Sequence, residues 1–311
     1  ICTATATDLS GGTATDTATH TITNTAPVLS DVSLSWAGDL TSTSALTCSY
    51  VASDADGQTL TASYAWTNLS TNTVFASVAS SLQLSPATAG PGDSIACSVT
   101  VTDTSGDSDS LAASETVLNT DPTFLIPATI TANGTQVGDS WSCFASGTDQ
   151  DDGALTPTYV WQDANGASLG GGASLTLTAN NSAPGSSISC VATLTDSHGG
   201  SAQSSAAETV TNTAPVFSAA ASITPNSGVL TSTLLQCTGT ATDADGDVPV
   251  ISYQWSNSNG TTYASSGSTL QLNPSTAAPG EQVSCTLTAA DDQGATATSS
   301  ASVTVDNSLP S

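Results

Sequence analysis

The sequence predicts an all-β protein of tandem β-sandwich repeats, each about 95 residues long and stapled by one inter-sheet disulfide. Three observations predict it. Short Thr- and Val-rich runs alternate small apolar with polar residues, as half-buried strands do, and no long 3.6-residue periodicity interrupts them. One motif, Asn-x-x-Pro, returns at Asn24, Asn119, Asn212 and Asn307, at spacings of 95, 93 and 95 residues. Within each full period, two cysteines frame a tryptophan at a fixed distance.

Composition narrows the class of partner. The chain has 311 residues, 25 Gly, 13 Pro and no Lys or Arg, so its 26 acidic residues leave a net charge of -26. An average chain of this length carries roughly 35 Lys and Arg. Without them phosphate cannot be neutralised, which excludes nucleic acid and disfavours anionic membrane surfaces. No apolar run reaches the ~18 residues that a membrane-spanning helix needs. Charged residues are only 8% of the chain, and the apolar ones are periodic, which argues for folded modules over disorder.

The elements follow in order. Residues 1–25 read as the last two strands of a truncated repeat: CTATATD from Cys2 aligns with CSVTVTD from Cys97, CVATLTD from Cys190 and CTLTAAD from Cys285. Each copy carries Asp six residues after Cys (Asp8, Asp103, Asp196, Asp291), then a Gly turn and a second strand. Three whole repeats follow, over 26–120, 121–213 and 214–311. In the first, strands are expected over about 28–36, 45–53, 60–67, 73–77, 80–84, 94–102 and 110–118. Cys48, Cys143 and Cys237 precede Cys97, Cys190 and Cys285 by 49, 47 and 48 residues. That recurrence predicts three intradomain bridges, with free thiols in a reducing compartment as the alternative. The seventh cysteine, Cys2, is expected to find its mate in sequence preceding this segment.

Each first cysteine is followed 18 residues later by tryptophan (Trp66, Trp161, Trp255), within Tyr-x-Trp, and then by Leu-x-Leu. A sandwich core of Trp against an inter-sheet bridge is the expectation. Trp36 lies outside this register and is the tryptophan left for a surface contact. The pattern L-T-C…D-A-D-G…Y-x-W…L-x-L…P-G-x-x-[IV]-x-C…T-N-T-A-P-V resembles tandem bacterial immunoglobulin-like repeats, akin to PKD and cadherin-like repeats, of giant secreted cell-surface proteins. It covers nearly the whole chain, and it departs from the usual pattern in lacking every Lys and Arg.

Two Asp series are candidate sites. The loops SDADGQ, TDQDDG and TDADGD place Asp54 and Asp56, Asp149 and Asp151, and Asp243 and Asp245 before a Gly turn, a donor set that suits Ca2+. The cadherin-like resemblance adds the linker residues Asn119, Asp121 and Asn212 as further ligands. Plain turn chemistry is the competing reading of the same loops. The second series, Asp103, Asp196 and Asp291 in Asp-x-x-Gly, reads as hairpin turns. His20 and His198 fall in different repeats without zinc spacing, and His198 reads as a solvated turn residue. Asn68, Asn133, Asn180 and Asn259 lie in Asn-x-Ser/Thr sequons that so Ser/Thr-rich a chain produces by chance.

No enzyme is expected: no Ser, metal-protease or phosphate-loop motif occurs, and the Asp clusters recur as a structural module would. The leading functional expectation is a stalk or fibre segment of a very large extracellular bacterial surface or appendage protein, serving adhesion or cell contact. Its partners are then the neighbouring repeats of the same chain and, through self-association, further copies bundled into a filament. The alternative is repeats that directly bind a glycan or a surface protein of another cell.

Overall fold

The computed structural model describes residues 1–307. Pro310 of the fourth Asn-x-x-Pro and the end of the 214–311 repeat lie outside the described residues. The chain forms two compact units. The first takes Ile1–Pro122 with Thr148–Leu155 and Asp196–Gly200, and the second takes the remaining residues from Thr123 onward.

The first unit begins with the hairpin β1 (Cys2–Thr7) and β2 (Thr13–Ala18), paired antiparallel from Cys2↔Ala18 to Thr7↔Thr13, with both strands exposed. A seven-stranded sandwich follows: β3 (Val28–Ser35), β4 (Ala45–Ser53), β5 (Thr61–Asn68), β6 (Thr73–Val74), β7 (Ser81–Gln83), β8 (Ser94–Thr102) and β9 (Ser108–Thr116). One sheet runs β3-β4-β7 and the other β6-β5-β8-β9. The strand expected over 73–77 stops at Val74. Phe75 donates its amide to the Trp66 carbonyl at 3.0 Å, in register with the Thr67↔Val74 pair, and packs its ring on the core.

The second unit holds most of two further sandwiches. In one, β10 (Thr123–Ala132), β11 (Ser140–Asp149) and β12 (Gly153–Leu155) form a sheet in which β15 (Ser174–Thr176) pairs with β11. Against it stand β14 (Ser168–Gly171), β13 (Thr158–Gln162), β16 (Ser187–Thr195) and β17 (Ser201–Thr209). In the other, β18 (Val216–Thr224), β19 (Leu234–Thr242) and β21 (Thr269–Gln271) face β20 (Val250–Asn257), β22 (Gln282–Ala290) and β23 (Thr296–Thr304).

Each sandwich has its own core. Cys48 is bonded to Cys97, Cys143 to Cys190 and Cys237 to Cys285, and every bridge joins strands of opposite sheets. Trp66, Trp161 and Trp255 pair directly across from Cys97, Cys190 and Cys285 and are fully buried. The indole N–H of each donates to a backbone carbonyl (Ala79, Gly172, Gly267) at 2.9–3.0 Å, so the ring is buried without an orphaned donor. Trp36 is partly buried, packed against the first core with the rest of its ring exposed. A further tryptophan, Trp141, takes the place of Leu46 and Leu235 two residues before the first cysteine. It is fully buried, with its ring 6.4 Å from that of Trp161. Among the described residues no helix is long and apolar enough to cross a membrane.

Candidate functional site: carboxylate clasps on the linkers

Each of the first three Asn-x-x-Pro linkers leads into a sandwich whose loops it touches. Proline fixes its own φ and keeps the residue before it extended. Pro27, Pro122 and Pro215 are all buried. The linker asparagine donates from Nδ2 to the hairpin aspartate of the sandwich that follows: Asn24 to Asp103 at 2.7 Å, Asn119 to Asp196 at 3.0 Å, and Asn212 to Asp291 at 2.8 Å. The next residue donates its amide to the second aspartate of the other loop. Thr25 reaches Asp56 at 2.7 Å, Thr120 reaches Asp151 at 2.9 Å, and Thr213 reaches Asp245 at 2.7 Å.

The hairpin aspartates therefore do more than shape their turns. Oδ1 of Asp103 accepts the amides of Ser105, Gly106 and Asp107, while Oδ2 takes Asn24. Asp196 and Asp291 divide their oxygens the same way, each accepting two turn amides on Oδ1. The linker asparagine holds Asp103, Asp196 and Asp291 below the usual carboxylate range; burial opposes the shift and the turn amides reinforce it. Read from sequence alone, these residues were turns and nothing more. The signal that could have revealed the clasp was their near-constant separation from the linker asparagine, 79, 77 and 79 residues.

The first aspartate of each Asp-rich loop has a different character. Oδ1 of Asp54, Asp149 and Asp243 caps its own loop, accepting the amides of Asp56, Asp151 and Asp245 at 2.7–2.8 Å. Oδ2 of all three is buried with no hydrogen-bond partner, and so is Oδ1 of Asp151. Buried carboxylate oxygens left unpaired are costly, and three equivalent loops repeat the arrangement. A hard cation satisfies such oxygens, so the residues present fit Ca2+. Of the expected linker ligands, Asn119 and Asp121 lie close together at Gly200: a Cβ there would stand 2.7 Å from Asp121 Oδ1, 2.9 Å from Asn119 Nδ2 and nearer still to Asp196 Oδ2. Asn212 keeps a buried, unpartnered Oδ1.

His198 is an exposed turn residue, and two carboxylates lie beside it. Asp152, Asp196 and His198 bring one ligand atom each to within 4.8 Å of one another. Ser197 ties them together, donating its amide and hydroxyl to Asp152 at 2.7 and 2.8 Å and lying 3.0 Å from His198 Nδ1. At the third linker Asp247 stands among carboxylates. Burial raises its pKa most, and Asp292, Asp243, Asp245 and Asp291 raise it further.

Paired sheets, an inter-sheet bridge and a buried tryptophan opposite the second cysteine define a tandem array of immunoglobulin-like sandwiches. Residues 212–305, the third repeat with its linker, match the family model described as Bacterial Ig domain. Comparison with curated proteins finds no match. Among solved structures, the chain is similar to the tetra-tandem repeat in the extending region of a large adhesion protein. The two are 18% identical over 98% of this chain and 81% of that chain, with a TM-score of 0.40. It is also similar to a Ca2+-stabilized adhesin that helps an Antarctic bacterium reach out and bind ice, at 16% identity over 97% and 80% and a TM-score of 0.37. A third is a 1.5-MDa bacterial ice-binding adhesin studied for host cell surface retention, at 14% identity over 92% and 100% and a TM-score of 0.36. At these scores the likenesses carry no argument about function.

Proposed function

We propose that the chain is a structural segment of a very large extracellular bacterial surface or appendage protein serving adhesion or cell contact. The repeats hold other parts of that protein in place and have no activity of their own. The observation that carries this reading is the recurrence of one clasp on three linkers: asparagine to the hairpin aspartate, and the following amide to the loop aspartate. Each linker is thereby tied to the sandwich it enters, and each sandwich is covalently stapled across its sheets. A disulfide in every sandwich suits an oxidising, extracellular setting. The repeat boundaries we assign are 26–120, 121–213 and 214–311, preceded by the 1–25 hairpin.

Ca2+ completes the clasps in this reading. Asp54, Asp149 and Asp243 would supply the free oxygens, together with Asp56, Asp151 and Asp245 and the linker residues Asn119, Asp121 and Asn212. The net charge of -26 repels further copies until cations screen it, so side-by-side association into a filament depends on salt. Two measurements test the proposal. The full chain should show no saturable binding to a glycan array or to cells, and nanomolar binding to either would overturn the structural reading. Its melting temperature should fall in chelator, and an unchanged curve would leave the Asp loops as turns.

A further inference from the structure

The linkers are not equivalent, because one of them is bridged by a side chain that the other repeats lack. Gln150 stands between Asp149 and Asp151 in the second repeat, where the first and third repeats have Ala55 and Ala244. Its side-chain nitrogen reaches back to the first sandwich, donating to the hydroxyl oxygens of Thr41 at 3.0 Å and Thr43 at 2.6 Å. A primary amide carries two N–H donors, and both are used here. The two sides of this contact belong to one compact unit, since Thr148–Leu155 groups with Ile1–Pro122.

The receiving turn is braced by its own hydrogen bonds. The Thr41 amide donates to Ser44 Oγ at 2.9 Å, and the Ser44 amide donates to the Thr41 carbonyl at 3.1 Å. Gln83 donates from Nε2 to the Thr43 carbonyl at 2.7 Å. The Leu40 carbonyl accepts the Leu118 amide at 2.7 Å, which sets the turn beside the start of the linker. Ser42, between the two threonines, is fully buried. Its hydroxyl lies beside Asp151: burial raises the pKa of that carboxyl, and Ser42 and Thr120 bring it below the ordinary value.

The next joint is made differently. Thr41 and Thr43 stand seven and five residues before Cys48, and at the same distances before Cys143 the second repeat has Gln136 and Gly138. Gln136 donates to the Asn212 carbonyl at 2.8 Å, and the side chain of Ala244 has no donor to offer.

We propose that Gln150 is a latch that holds the Asp loop of the second repeat on the 41–43 turn of the first sandwich without an ion. The donor and both acceptors are uncharged, so withdrawing cations leaves the latch closed. This goes beyond the functional reading, which treats the three linkers alike and completes each with Ca2+. The second linker is thereby fastened twice, once by its clasp and once by a tie that chelator does not release.

Two measurements on the full chain in chelator test the latch. Hydrogen exchange of the Gln150 side-chain amide, held by two neutral hydrogen bonds, should be about tenfold slower than that of a free glutamine. The paired substitution Thr41→Val and Thr43→Val, which removes both acceptors and keeps the branched shape, should return it to the free rate. In amide nitrogen relaxation, loop 149–152 should share the tumbling time of the first sandwich in the unaltered chain and depart from it in Gln150→Ala. Exchange at the free rate in the unaltered chain, exchange that the valines leave slow, or relaxation that Q150A leaves unchanged overturns the proposal. Both variants keep every loop aspartate, so this outcome is read independently of the chelator melting and glycan-binding tests of the functional reading.

Discussion

Removing the bridge of the third sandwich by the paired substitution Cys237→Ala and Cys285→Ala should destabilise that sandwich alone. The bridge closes a loop of 48 residues. In the chain-entropy model such a loop restricts the unfolded state by about 4 kcal/mol at 25 °C. Both cysteines are fully buried between the sheets, so truncation also leaves space beside Trp255 that neighbouring side chains fill only in part. A shift of ~4–8 °C per kcal/mol for a domain of this size makes the expected fall roughly 15–30 °C. Scanning calorimetry of the full chain is the assay, since the other two sandwiches have separate cores and serve as internal references. One transition should move and two should stay. A fall of only a few degrees would refute the entropic argument, and a common shift of all transitions would refute the independence of the cores.

Acid should open the first clasp before the sandwich melts. The Asp103 pKa is depressed, so its contribution is complete above the ordinary value of 3.8 and is lost as pH falls through the lower native value. Nuclear magnetic resonance of the Asn24 side-chain amide should report the release, and an Asn24 signal unmoved down to unfolding would contradict it. Trp161→Ala should cost about 3–5 kcal/mol, read by denaturant titration of the second sandwich, because its ring is fully buried against Trp141 and the Cys143–Cys190 bridge. Gly200→Ala should loosen the second linker, since the new methyl falls on Asp196, Asp121 and Asn119; the Thr120 amide should then exchange faster than in the parent. A thiol reagent under native conditions should label Cys2 alone, which is exposed and unbonded; a second labelled thiol would break the pairing scheme.

The core was readable in the sequence because the constraints on it are local and repeated. A bridge, a tryptophan and a strand pairing all meet at Cys97–Trp66, Cys190–Trp161 and Cys285–Trp255, so their spacing cannot drift. Trp141 escaped that reading because the other two sandwiches place Leu46 and Leu235 there; only packing shows that a large ring fits beside Trp161. The loop aspartates stood out as a group, yet their two oxygens do opposite things. Which oxygen caps the loop and which is left unpaired is a matter of side-chain rotation that no spacing records. The clasp itself joins residues nearly 80 positions apart, and the gathering of His198 with Asp152 depends on two hairpins meeting in space. Sequence spelled out the turns; folding made them partners of the linker.

The claim that the linkers are locked onto the sandwiches they enter is tested most directly by hydrogen exchange at three amides, Thr25, Thr120 and Thr213. Each donates to a loop carboxylate, at 2.7, 2.9 and 2.7 Å. Hydrogen bonds to charged groups contribute about 1.5–3 kcal/mol, so each amide should exchange about tenfold or more slowly than an unstructured peptide at neutral pH. Replacing Asp56, Asp151 or Asp245 with alanine should release only the amide it holds. Exchange of all three amides at the unstructured rate in the unaltered chain would contradict the account.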